Sequence, residues 1–185
     1  NTSYPVAAGW GYFIQNDKRT LDKFGEWYYD AAKSVFYMYF GSENPANHFV
    51  NVGSLNNLIS FGRGIAYCNI SNISLNGANL QAINGLGYNH NSLIDKCDIT
   101  LCGYNGISLW GTQNLKITNC IIDHCNDNAI YIIDNCENTY IGNNDLTNIG
   151  LLPGMGQGAW ASGKTIYLRG SDNAIIEYNT IKRAG

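Results

Sequence analysis

Asp127 and Asp134 flank the short run Ala129-Ile-Tyr-Ile132, and Tyr131 in that run aligns with Tyr167 in the next copy of the same pattern. A positioned carboxylate can act as a general acid or base. Flat aromatic faces suit the apolar faces of sugar rings, with Arg and Asn adding hydrogen bonds. Trp110, Trp160 and Arg169 fall close to the tyrosines in the alignment and complete a candidate binding set. Glycosidases need two carboxylates about 5 to 10 Å apart. Asp127 and Asp134 are seven residues apart on an extended segment, roughly 20 Å, so they are not a pair with each other. Each is a single candidate acid–base group or an aspartate of a turn. Elimination from a uronate would need a cation or metal against the developing anion. The same face offers Arg169 and Lys164, with no cluster of acids suited to Ca²⁺. Neutral glycan and hydrolysis therefore fit better than a polyanion and elimination, and no cofactor is evident.

What must position these residues is a repeat. Asn91-Ser-Leu-Ile-Asp-Lys-Cys-Asp-Ile99, Asn114-Leu-Lys-Ile-Thr-Asn-Cys-Ile-Ile122, Asn138-Thr-Tyr-Ile-Gly-Asn-Asn-Asp-Leu146 and Asn173-Ala-Ile-Ile-Glu-Tyr-Asn-Thr-Ile181 superimpose. Their isoleucines, with Ile70 before them, are spaced 24, 23, 24 and 35 residues apart. A period of that size means a stacked architecture. Each unit reads as two strands with alternating apolar residues. The first carries the anchoring isoleucine; the second is Gly106-Ile-Ser-Leu109, Ala129-Ile-Tyr-Ile132 or Thr165-Ile-Tyr-Leu168. The solution is an all-β parallel β-helix of about 23 residues per rung, with like residues stacked about 4.8 Å apart. Cys97 then lies over Cys120 and Cys102 over Cys125, either as small apolar fillers or as disulfides between rungs. Asn144 and Asn179 continue the first column and should bond backbone or each other. The step of 35 holds an insertion from Gly150 to Gly163, and such insertions become surface loops. Asp123-His124 and His90 read as corner or surface residues.

Residues 1–57 lack the repeat. Trp10 to Ile14 reads as a strand. Gly25 to Asp30 and Val35 to Phe40 read as a hairpin with a four-residue loop, packed on the coil formed by 58–185. Glu26, Trp27 and Asp30 belong to that hairpin rather than to a site. The charged fraction is 14% and the net charge −3, with no basic run to bind nucleic acid. No apolar run is long enough for a membrane span. The chain stops inside a repeat, so further rungs of the same chain are expected to cover it.

These repeats resemble the right-handed parallel β-helix repeat of pectate-lyase-like proteins. The lead-in Gly25-Glu-Trp-Tyr-Tyr-Asp30 with Val35-Phe-Tyr-Met-Tyr-Phe40 is similar to the segment before the coil in many bacterial secreted β-helix proteins, several of them polysaccharide lyases or glycoside hydrolases. The asparagine-rich composition resembles Bacteroidetes-type secreted proteins. The resemblance implies a right-handed coil, an extracellular or cell-surface location, and a polysaccharide or cell-surface glycan as partner. It transfers no catalytic residue. The expected function is a carbohydrate-active protein that binds and cleaves polysaccharide, with a non-catalytic adhesin or scaffold as the alternative.

Overall fold

The computed structural model describes residue 14 and residues 16–152 and 163–185. The chain forms two compact units that part between Asn51 and Val52.

In the first unit, strands Trp27–Asp30 and Val35–Met38 pair antiparallel around the loop 31–34. Trp27 stacks on Phe36 with ring centroids 5.7 Å apart, a cross-strand aromatic pair that stabilises one face. Glu26 Oε2 accepts the backbone N–H groups of Asp22 and Lys23, and Asp30 Oδ1 accepts that of Lys33. These carboxylates tie off turns, as expected of hairpin residues. The strand expected at Trp10–Ile14 lies outside the described residues except for Ile14, which is in no element.

The second unit is a coil of parallel strands in three sheets. One sheet stacks Asn57–Phe61, Gln81–Gly85, Ile107–Trp110, Ile130–Glu137 and Ile166–Asp172, joined by the short Asn89–His90 and Thr112–Gln113. The second stacks Asn69–Ser71, Leu93–Asp95, Lys116–Thr118, Tyr140–Gly142 and Ile175–Glu177. The third stacks Ser74–Asn76, Asp98–Cys102, Ile121–Cys125, Asp145–Ile149 and Thr180–Ala184. Register follows the repeat: Ile70, Ile94, Ile117, Ile141 and Ile176 are in line. The middle three of these are fully buried.

One correction follows. The segment read as the first strand of each unit is two strands in different sheets. The chain turns between them at Lys96, Asn119, Asn143 and Tyr178, all with φ between 52° and 58°. The signal was present in the spacing. Ile94 to Cys97 is a step of three, which breaks the two-residue alternation of a single strand.

Two asparagine ladders hold the corners. Asn91, Asn114, Asn138 and Asn173 all have φ of 53°, a conformation Asn tolerates better than most residues. Their amides link rung to rung: Asn114 Nδ2 donates to Asn91 Oδ1 at 2.9 Å, and Asn138 Nδ2 to Asn114 Oδ1 at 3.0 Å. The buried ladder is the one expected in the cysteine column. Asn144 Oδ1 accepts the Cys120 N–H at 2.9 Å, and Asn144 Nδ2 donates to Ile117 O at 3.0 Å and Asn179 Oδ1 at 2.9 Å.

All six cysteines are free thiols. Side chains in register on parallel strands keep their Cβ atoms about as far apart as the strands, near 4.8 Å, whereas a disulfide needs about 3.8 Å. Burial also pushes the Cys120 thiol up to about 12 and the Cys97 thiol upward, so neither supplies thiolate at neutral pH. Six thiols are therefore expected to react with a chromogenic disulfide in denaturant without reductant, and few in the native protein. A shortfall by pairs in denaturant would overturn the assignment.

Candidate functional site

The tyrosine face forms because the rungs repeat in register. Ser108, Tyr131 and Tyr167 are partners across adjacent strands, with Asn84 before them. The Tyr131 and Tyr167 rings stack with centroids 5.2 Å apart and planes 10° from parallel. Both are half-buried. Burial raises the Tyr131 hydroxyl pKa, with Arg169 working against it and Tyr167, Asp134 and Asp127 adding to it. That hydroxyl stays protonated at neutral pH and can donate or accept hydrogen bonds.

Two residues on, Trp110, Ile133 and Arg169 are in register. Trp110 is 48% exposed and Leu86, one rung earlier, is 55% exposed. Arg169 Nη2 donates to Asp134 Oδ1 at 2.8 Å. This hydrogen bond, then the charge of Asp134, holds the guanidinium pKa above its ordinary value. Both partners are about half exposed, so the pair adds little to stability. Asp134 lies where the pairing slips between Ile133 and Cys136. It has φ of 61° and Asn135 has φ of 55°. The structure thus brings together Tyr131, Tyr167, Arg169 and Asp134, with Trp110 one rung away. Trp160 and most of the insertion lie outside the described residues.

Asp127 has different surroundings. It is 2% exposed, and its Oδ1 accepts the Gly163 N–H at 2.8 Å. Beside it, Asn128 Oδ1 accepts the Lys164 N–H at 2.9 Å, while its N–H and Nδ2 both donate to Asn105 Oδ1. Asp127 and Asn128 therefore hold the chain where it re-enters the coil after the insertion. The residues outside the described set include no Asp or Glu. Among the described residues no group of three or more His, Cys, Asp or Glu side chains is placed to hold a metal ion. No helix there is long and apolar enough to cross a membrane.

Two other carboxylates are locked by the next rung. Asp95 Oδ1 accepts Thr118 Oγ1–H and an Asn119 Nδ2–H, both at 2.7 Å. Asp123 Oδ1 accepts Thr147 Oγ1–H and an Asn148 Nδ2–H, both at 2.6 Å, while its Oδ2 meets His124 Nδ1. For Asp95, hydrogen bonds from Asn119 and then Thr118 lower the pKa. For Asp123, burial pushes it up, but the bonds from Thr147, Asn148 and His124 together bring it below the usual value. A depressed folded-state pKa stabilises above the unfolded value of about 4 and is lost as pH falls through the folded value. Urea unfolding between neutral and acid pH is expected to give a shallower acid limb for Asp123→Asn than for wild type. Equal slopes would show that the lock contributes nothing to acid sensitivity.

The family model described as the right handed beta helix region matches residues 43–165. The chain belongs to that family, a class defined by stacked parallel rungs. No curated protein matches it, and no solved structure does.

Proposed function

We propose that this is an extracellular carbohydrate-active β-helix protein that binds a neutral polysaccharide on the Tyr131 and Tyr167 face. The single observation that carries the reading is the stacked tyrosine pair, half-buried and beside Asp134 and Arg169. Aromatic planes backed by a few polar groups are the usual chemistry of sugar contact. Trp110 extends the apolar surface toward the earlier rungs. In a hydrolase, Asp134, exposed and bonded to Arg169, is the candidate carboxylate beside the tyrosines, while Asp127 is engaged by Gly163. The second reading, a non-catalytic adhesin or scaffold, is favoured by that engagement, because it ties one of the two candidate carboxylates to the backbone while a glycosidase needs two.

The expected result is that neutral polysaccharides bind and that Tyr131→Ala and Tyr167→Ala each weaken binding about ten-fold or more. Reducing-end release on the same polymers separates hydrolase from binder. If no glycan on an array binds the wild-type protein, the reading fails.

A further inference from the structure

Buried amides in this coil find partners from rung to rung. Asn144 bonds Cys120, Ile117 and Asn179, and Asn128 Nδ2 donates to Asn105 Oδ1. The corner behind the outer asparagine ladder is different. Two positions before Asn91, Asn114, Asn138 and Asn173, an inward column runs Asn89, Thr112, Cys136 and Ser171 in register. Thr139 lies just past the same corner. Asn89, Thr112 and Thr139 are 3%, 1% and 1% exposed. Asn89 Oδ1 accepts the Ile65 N–H at 3.0 Å. Its Nδ2 is aimed inward, since a Cβ on the buried Gly85 would lie 3.1 Å from it. Yet Asn89 Nδ2, Thr112 Oγ1, Thr139 Oγ1 and Ser171 Oγ are all enclosed with no hydrogen-bond partner among the described residues. An enclosed polar atom without a partner is costly, and native folds carry few. Four around one corner call for a shared partner.

The chemistry of the four atoms says what that partner is. Asn89 Nδ2 only donates, so the partner must accept, which excludes a cation. None of the four column residues is charged, so an anion would be buried without a counter-charge. Water accepts from the amide and can both donate to and accept from a hydroxyl. The spacing suits it as well. Asn89 and Thr112 are in register on adjacent strands, about 4.8 Å apart. Two hydrogen bonds of about 2.8 Å that meet near the tetrahedral angle span about 4.6 Å. One rung is therefore too long for a direct bond and right for a single bridging molecule. Buried waters in proteins serve such unmatched polar groups.

We propose that this corner is an internal water site: one ordered water bridges Asn89 Nδ2 and Thr112 Oγ1, and water continues along the column to the Thr139 and Ser171 hydroxyls. The two threonines are then water ligands rather than packing residues.

The test uses Thr112→Val and Thr139→Val in the whole chain. Valine keeps the branched shape and replaces only the hydroxyl with a methyl. Oxygen-17 magnetic relaxation dispersion counts waters held inside for longer than the protein tumbles. Wild type is expected to hold such waters, and Thr112→Val to hold fewer. Removing the hydroxyl strands Asn89 Nδ2, so the unfolding constant of Thr112→Val in urea should rise about ten-fold. Thr139→Val should change in the same two directions. A Thr112→Val variant as stable as wild type, or more so, means an orphan hydroxyl and overturns the proposal. A destabilised Thr112→Val with an unchanged count of long-lived waters means a direct bond to protein and overturns it too. A Thr139→Val variant with unchanged count and stability overturns the continuation beyond Thr112. If Thr112→Val does not fold, the wild-type count still decides: no long-lived water overturns the whole.

Discussion

Asn144→Leu is expected to destabilise the coil by about 3–5 kcal/mol, the largest single effect of a polar substitution in this chain. Asn144 is 2% exposed and sits in a column of side chains that point inward. Leucine keeps the branched shape, is bulkier and has no polar atoms. It strands the Cys120 N–H and the Ile117 carbonyl, both satisfied by Asn144. It also removes a partner from Asn179 Oδ1. Each buried polar group left without a partner costs about 1–3 kcal/mol. The outer ladder is the control. Asn138 carries an exposed rung-to-rung amide bond at a corner with φ of 53°. Asn138→Gly keeps the corner conformation and is expected to cost less than about 1 kcal/mol. Urea unfolding of the two variants measures the contrast. Equal losses would mean the buried amide has no special weight.

Two isoleucines four residues apart supply the second large effect. Ile117 is fully buried between Ile94 and Ile141. Ile117→Ala removes methyl and methylene groups from a close-packed column that cannot collapse, because the rungs on both sides fix the strand spacing. The expected cost is about 3–4 kcal/mol. Ile121 is 52% exposed, in register with Asp98 and Asp145 on the outer face. Ile121→Ala is expected to stay within about 0.5 kcal/mol of wild type. The same denaturation series reads both, and similar losses would contradict the inward and outward assignment.

Much of this fold was legible in the chain. Register could be read by counting, because a stacked rung places the same inward position at the same point of each period. The cysteine and asparagine columns and the Tyr131 and Tyr167 alignment all follow from that, and the hairpin follows from two β-rich runs around a four-residue loop. The missed corner between Ile94 and Cys97 had a visible signal in its three-residue step. The conformation of Leu101, His124 and Arg183 did not. All three sit in the left-handed region with φ of 51° to 56°, against their own preference. Their neighbours Gly77 and Asn148 in the same column suit that geometry, and stacking imposes it on the rest. The carboxylate locks at Asp95 and Asp123 were illegible for a related reason. Each joins residues a full rung apart, where only the three-dimensional register brings Thr and Asn to the acid.

The candidate site divides along the same line. Asp127 and Asp134 are equivalent in sequence, both aspartates beside asparagine at the ends of one apolar run. The sequence by itself determined the parallel β-helix, its columns and the face that carries the tyrosines, because periodic spacing is one-dimensional information. Only the tertiary structure decided which aspartate stands open beside Arg169 and which is buried under Gly163. Burial depends on what the next rung and the returning chain lay over a residue, and that is a property of the stack rather than of any single repeat.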